Sequence, residues 1–404
     1  MKALENAKTM GEKEVIAKIA SAGLQEYGVF PEALTGKWAA KQEETDGKVA
    51  GVAAGINNSD TKRVLLNLLR TDADKIFEGM AVTAYALGTE ELVLLLPESE
   101  TTLAEELSQK AAEYGVRIEN AFINVRKYGK HALHHIETML AVAEVMEDNY
   151  TPGAYVSVAA EGGYGDLQKV SYGTRLSDVV SLEGAKAVEI GSHLYTPTAA
   201  AELVIDENLK LGDGVITVLD EKKCLMQECE ARFLESRKTG CGKCTFCREG
   251  LNQLYGHITD ITSGKGKKEA LDMVKEIGEA MTFSCGCSVG TIGADFVLDA
   301  MDGFMGEFDA HIKKRNCPAG VCTCFMTIYI DPQLCEGCEE CADVCPADCI
   351  EGKSGYIHMI DEFECTKCGK CIEACENEAV IQTTGRVPKL PNRLTKCGKF
   401  KKRR

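Results

Sequence analysis

Cys335-Glu336-Gly337-Cys338-Glu339-Glu340-Cys341-Ala342-Asp343-Val344-Cys345-Pro346 returns thirty residues later as Cys365-Thr366-Lys367-Cys368-Gly369-Lys370-Cys371-Ile372-Glu373-Ala374-Cys375-Glu376. Both copies read C-x2-C-x2-C-x3-C. Three thiolates at that spacing let a tight loop wrap three corners of an iron–sulfur cubane. In tandem copies the fourth cysteine of each run ligates the other cluster. One 4Fe–4S cluster is therefore assigned Cys335, Cys338, Cys341 and Cys375, and a second Cys365, Cys368, Cys371 and Cys345. Gly337 and Gly369 suit loops whose amides point at sulfur. Zinc explains an isolated C-x2-C pair, but not two complete four-cysteine runs. Glu376 replaces the proline of the first copy, a residue that shapes the chain and is no ligand.

Working outward, Cys241-Gly242-Lys243-Cys244-Thr245-Phe246-Cys247-Arg248-Glu249-Gly250 repeats the C-x2-C-x2-C spacing, and Cys285-Gly286-Cys287 follows about forty residues on. Closed by a distant fourth thiolate, this set also fits a cubane; a zinc knuckle would leave one thiolate idle. A third group, His311, Cys317, Cys322 and Cys324, precedes the tandem repeat. Cys224, Cys229 and Cys349 lack partners at ligand spacing and read as small buried hydrophobes.

All 20 cysteines of the 404-residue chain lie between Cys224 and Cys397. Repeated metal-ligand spacing in a large chain, without a signal-peptide pattern, points to a reducing compartment. The amphipathic, charged N-terminus and the lack of any run of ~20 apolar residues predict a soluble cytoplasmic protein with no membrane partner. A net charge of −16 argues against nucleic acid. The basic tail Lys399-Phe400-Lys401-Lys402-Arg403-Arg404 reads as a solvated extension, with docking onto an acidic partner subunit as the alternative.

The expected fold is multidomain, α/β plus α+β. Residues 1–150 alternate helical stretches such as 72–85 with apolar runs such as 92–96, the pattern of an α/β domain with a partly parallel sheet. Residues 151–210 are Gly-punctuated short strands around one helix at 176–182, a small β-grasp-like module. Over 211–315 the period is helical. Leu271, Val274, Ile277 and Met281 share a face, and Phe296, Val297, Ala300, Met301, Phe304, Phe308 and Ile312 trace one long stripe, the seam of a bundle. A Cys-rich linker (316–330), a bacterial-type two-cluster ferredoxin domain (331–385) and the basic tail (386–404) complete the chain.

The GCGKCTFCREG stretch at 240–250, ahead of a helical bundle, resembles the NADH-binding flavoprotein subunit of respiratory complex I. With a ferredoxin domain after the bundle, the layout is most similar to the β-subunits of multimeric, often electron-bifurcating, hydrogenases and NAD(P)-linked formate dehydrogenases. The resemblance implies Cys287, in the frame Cys287-Ser288-Val289-Gly290, as fourth ligand to a bundle cluster with Cys241, Cys244 and Cys247; Cys285 is the alternative. It also implies that the linker holds zinc through His311, Cys317 and Cys322, with Cys397 or Cys324 as fourth ligand. A linker with spare thiols is the competing reading.

The flavin and nicotinamide elements of that family are degenerate here. A glycine-rich loop of the form SGLRGRGGAGFPTGxKW corresponds to residues 21–38, where Glu26 and Tyr27 stand in place of glycines. A carboxylate is electrostatically wrong beside a phosphate, and tyrosine fills flavin space. The acidic flavin-contacting stretch survives only as Gly55-Ile56-Asn57-Asn58-Ser59-Asp60. The NADH loop has no room between Arg117 and Leu133, ahead of Leu133-His134-His135-Ile136-Glu137-Thr138. The His134-His135 pair reads as a surface or core feature. No P-loop, nucleophile elbow or H-E-x-x-H compensates. The expectation is an electron-wiring subunit with three 4Fe–4S clusters, without FMN or NAD and without catalysis of its own. Its partners would be a hydrogenase or formate dehydrogenase catalytic subunit, an intact flavoprotein homologue and a thioredoxin-like 2Fe–2S subunit. An NAD(P)H-oxidising flavoprotein with an atypical FMN site is the alternative.

Overall fold

A computed structural model describes residues 2–121, 127–160 and 163–400. It divides into two compact units, one of Met1–Asp220, Ala231–Tyr255 and Met273–Phe304, the other of Glu221–Glu230, Gly256–Asp272 and Met305–Arg404. Among the described residues no helix is long and apolar enough to cross a membrane.

The first unit opens with a four-stranded parallel sheet in the order Val116–Asn120, Leu92–Leu96, Val52–Gly55, Ala132–His135. The two central strands are buried along their whole length. Burial on both faces is why they read as unbroken apolar runs without alternation. Helices Ala73–Leu87 and Ile136–Met146 cross at Gly79, where an added Cβ would sit 1.8 Å from the Met139 carbonyl oxygen. No side chain fits between backbones that close, so Gly79→Ala is expected to cost about 1–3 kcal/mol, measurable as a lowered denaturant midpoint.

A mixed sheet follows, ordered His193–Tyr195, Ala185–Ile190, Val215–Asp220, Gly153–Ala160, Gly163–Tyr164, with Gln168–Ser171 also on Gly153–Ala160. Its parallel pair is Val215–Asp220 with Gly153–Ala160. The module expected to end at 210 thus takes its middle strand from 215–220. The expected helix at 176–182 is the shorter Leu176–Val179.

Helices Leu225–Thr239, Thr245–Thr262 and Glu269–Ser284 occupy the helical region. The long stripe from Phe296 is two helices, Asp295–Gly303 and Met305–Ile312. Phe304, at φ −135°, leaves the helical region and breaks it.

In the second unit the tandem repeat folds as two matching halves. Thr327–Ile330 pairs antiparallel with Val380–Thr383, and Ile350–Glu351 with Met359–Ile360. Short helices Glu340–Asp343 and Lys370–Glu373 follow the two cysteine loops. The thirty-residue repeat extends to the backbone: Gly337 and Lys367, Glu339 and Gly369, Asp348 and Glu378 all take positive φ. Only Gly337 has no room for a side chain, an added Cβ meeting the Tyr356 amide nitrogen at 2.6 Å.

Of the segment 386–404, residues up to Phe400 are tied to this unit by hydrogen bonds. The Ile357 amide donates to the Thr395 carbonyl (2.9 Å), the Cys397 amide to Gly355 (3.1 Å), and the Gln333 side-chain amide to Phe400 (3.1 Å). Residues 401–404 lie outside the described residues, as do 122–126 in the stretch where no room for a nicotinamide loop is expected.

Candidate metal centres

In the second unit the central thiol of each half has a cysteine of the other half beside it. Cys341, buried in the first short helix, has Cys335, Cys338, Cys375 and Cys371 as neighbouring thiols. Cys371 faces Cys365, Cys368 and Cys345. Burial, then these neighbouring thiols, push the Cys341 thiol up to about 12. Thiols packed this closely resist ionising together unless a cationic core joins them, the condition an iron–sulfur cubane supplies. Ile328, Ile350 and Ile360 line a small cavity with Cys345, Cys365 and Cys371. Amides are aimed at sulfur: Lys367 N–H donates to Cys365 Sγ (3.4 Å) and Ala379 N–H to Cys375 Sγ (3.3 Å). These residues fit two 4Fe–4S clusters.

In the first unit, Cys247 in the opening turn of Thr245–Thr262 faces Cys285, Cys287, Cys244 and Cys241. Burial leads these neighbours in pushing its thiol up to about 12. All five thiols form one group, so both candidates for the fourth position are at hand. Cys287 precedes the turn Ser288–Thr291 and accepts hydrogen bonds from the Val289 and Gly290 amides. That is the environment of a cluster thiolate. Cys285 instead hydrogen-bonds Cys247. A Cβ at Gly290 would fall 2.6 Å from Cys285 Sγ and 3.1 Å from Cys247 Cβ. Gly290→Ala is therefore expected to push these thiols apart and cut iron by about four atoms per chain, leaving the ferredoxin sites filled; iron analysis checks it.

The linker group corrects the sequence reading. Cys224, His311, Cys317 and Cys322 are all buried, with their ligand atoms within 4.8 Å of one another. Cys224 Sγ lies 3.3 Å from His311 Nε2 and 3.6 Å from Cys322 Sγ. Cys322 Sγ is 3.5 Å from the same nitrogen. Tetrahedral zinc with sulfur at 2.3 Å has ligand–ligand edges of about 3.8 Å, so the four close on one ion with little movement. His311 Nδ1 donates to the Glu307 carbonyl (2.8 Å), which leaves Nε2 to face the thiols. The Cys322 contact, then His311, lowers the Cys224 thiol. Cys224, read as a small buried hydrophobe, is the fourth member of this group. Cys324 instead donates to the Thr262 carbonyl (2.8 Å), and Cys397 stands against Cys335. No spacing rule joins Cys224 to His311, 87 residues away.

The loop that resembles a flavin site is filled by its own side chains. Glu26 is buried. It takes hydrogen bonds from His134 Nδ1 (2.6 Å), the His135 amide (2.7 Å) and the Thr138 hydroxyl (2.8 Å), and Lys37 Nζ lies at 3.1 Å. Burial raises its pKa, but Lys37, His134 and the His135 amide reverse that and hold it well below the carboxylate range. Trp38 Nε1–H donates to His134 Nε2 (3.1 Å), placing the imidazole proton on Nδ1, toward Glu26. Tyr27 donates to the Gly153 carbonyl (2.7 Å). Gly28, at φ +94°, packs on Asn57. The cavity beside Glu26 and Tyr27 holds about 20 Å³, and one beside Asp60, Lys62 and Arg232 about 70 Å³. His134 and His135 are buried members of this network.

Two stretches that hold cysteine groups match known families. Residues 231–311 match the NADH-ubiquinone oxidoreductase-F iron-sulfur binding region, and residues 327–376 a 4Fe-4S dicluster domain. The chain is 37% identical over 172 residues to the NADP-reducing hydrogenase subunit HndC of Solidesulfovibrio fructosivorans, covering 43% of this chain and 35% of that protein. It is 28% identical over 198 residues to an F-type NADH-quinone oxidoreductase component of Rhizobium meliloti, covering 48% and 41%. It thus spans less than half the length of these relatives. In fold it is similar to a crystal structure of NAD+-reducing [NiFe]-hydrogenase in the H2-reduced state, at a TM-score of 0.62 and 19% identity, covering 77% of this chain and 64% of that one. This chain is a homologue of the hydrogenase and complex I proteins that carry an F-type iron–sulfur region, which here is followed by a 4Fe-4S dicluster domain.

Proposed function

We propose that this chain is an electron-wiring subunit of a soluble redox complex, a hydrogenase or formate dehydrogenase, with three 4Fe–4S clusters, one structural zinc and neither FMN nor NADH. The observation that carries the reading is the gathering of the thiols of all three C-x2-C-x2-C runs around buried central cysteines. Cys241, Cys244, Cys247 and Cys287 would hold the cluster of the first unit. Cys335, Cys338, Cys341 and Cys375 would hold one cluster of the second, and Cys365, Cys368, Cys371 and Cys345 the other. Such clusters supply one-electron transfer, and the chain's contribution is to bury them, aim amides at their sulfurs and so set their potentials. Cys224, His311, Cys317 and Cys322 would hold the zinc.

The loss of flavin is supported by the packing of Glu26 and Tyr27. A buried carboxylate stands where the family's loop approaches phosphate, and cavities of about 20 and 70 Å³ are well below the several hundred Å³ of a typical cofactor site. The partners would be a hydrogenase or formate dehydrogenase catalytic subunit, an intact flavoprotein homologue and a thioredoxin-like 2Fe–2S subunit. Anaerobic reduction followed by electron paramagnetic resonance tests the role. Dithionite should reduce all three clusters, and NADH or NADPH alone should reduce none. Rapid reduction by either nucleotide would establish the chain as an NAD(P)H-oxidising flavoprotein instead.

A further inference from the structure

Residues 57–60, within the stretch that resembles a flavin-contacting element, reach the cysteine turn of the bundle. They form a closed turn. The Asp60 amide donates to the Asn57 carbonyl at 2.9 Å. Asp60 Oδ2 accepts the Asn57 amide at 2.9 Å and the Asn57 side-chain amide at 3.3 Å. Asp60 is buried, with His135 Nε2 at 3.6 Å. On the other side Gly28 packs on Asn57 so closely that an added Cβ would sit 2.5 Å from Nδ2. Braced from both sides, the turn brings its two middle residues to the segment that begins at Cys287. The Ser59 amide donates to Ser288 Oγ at 3.3 Å, and the half-buried Asn58 side chain hydrogen-bonds Cys287. A thiolate only accepts, so the Asn58 amide is the donor. Cys287 thus has three donors, the Val289 and Gly290 amides from its own turn and Asn58 from a distant one.

We propose that Asn58 is a positioning residue of the bundle cluster, whose side-chain amide, donated to Cys287 Sγ, holds that cluster's reduction potential above the value its own turn would set. The inference rests on the reading of Cys241, Cys244, Cys247 and Cys287 as a 4Fe–4S site. Reduction adds one electron, and part of that charge falls on the ligand sulfurs. An N–H aimed at sulfur stabilises the reduced cluster more than the oxidised one, so each donor raises the potential. The Val289 and Gly290 donors are main-chain groups that survive most substitutions at those positions. Asn58 is the side-chain donor, and a single substitution removes it. Because Asp60 braces the same turn against His135, the buried network around Glu26 and His135 fixes where this donor stands.

The test uses the full-length chain purified anaerobically, with iron content and a dithionite titration followed by electron paramagnetic resonance as readouts. The two ferredoxin clusters serve as internal references. Asn58→Ala should keep about 12 irons and lower the midpoint of the bundle cluster alone. The expected shift is about tenfold in the reduced-to-oxidised ratio at a fixed potential, or about 59 mV for one electron. Asn58→Asp keeps the shape but puts an acceptor in place of the donor, and should lower the midpoint at least as far. Asn58→Gln, which keeps the amide, should restore much of it. A residue that merely fills space would respond to alanine and not to aspartate, so an unchanged midpoint in Asn58→Asp would overturn the inference. Loss of about four irons from Asn58→Asp would overturn it too, by making the side chain a structural support. A wild-type chain with only about eight irons, lacking those of this site, would overturn the reading beneath it before any variant is compared.

Discussion

Replacing Cys224 by serine is expected to reduce bound zinc from about one atom per chain to near zero and to lower the thermal stability of the second unit sharply. Cys224 enters the group from the turn before Leu225–Thr239, and its sulfur is in contact with both His311 Nε2 and Cys322 Sγ. A three-ligand remnant keeps neither the affinity nor the closed geometry of a structural site. Structural zinc contributes on the order of 10 kcal/mol of apparent binding energy, which is also folding energy. Its loss should therefore exceed the effect of any single core truncation, typically about 2–5 kcal/mol. Cys324→Ser and Cys397→Ser are the controls, since these thiols lie at the Thr262 carbonyl and beside Cys335. Zinc retained in Cys224→Ser but lost in either control would contradict the assignment. Metal analysis and a melting curve with and without chelator read it out.

Glu26→Ala is expected to destabilise the first unit by about 2–4 kcal/mol, because it strands the His135 amide, the Thr138 hydroxyl and the imidazole N–H in a buried space. Lys37, partly exposed, can return to water, which keeps the cost toward the lower end. The pH dependence follows from the depressed carboxyl pKa. A group that ionises more readily folded than unfolded stabilises above its unfolded pKa, about 4.3 for Glu. That contribution is lost as pH falls below it toward the folded value. Wild type should lose stability steeply in that acid range, and Glu26→Ala should lose less. Trp38, the only tryptophan in the chain, donates to His134 and gives the network its own fluorescence probe. Equal acid slopes for both proteins would contradict the network's role.

How much the sequence disclosed depended on the range over which each signal acts. The tandem cysteine runs were legible because a cubane dictates its own local spacing, and the thirty-residue offset persists in the positive-φ pairs from Gly337 and Lys367 to Asp348 and Glu378. The parallel sheet was legible because 92–96 is an unbroken apolar run. Cys224 was not, because its partners are brought together only by the fold. The pairing of Lys396 with Tyr356 likewise leaves no mark in the sequence. The helix break at Phe304 was hidden because the apolar stripe continues across it. Glu26 was legible as out of place beside a phosphate; that Lys37, His134 and Thr138 would gather around it was not.

The account turns on three clusters without flavin, and metal and flavin content of the anaerobically purified chain tests that most directly. About 12 irons, 12 acid-labile sulfides and one zinc per chain, with no FMN, is the predicted result. Roughly stoichiometric FMN, or iron sufficient for only two cubanes, would contradict it.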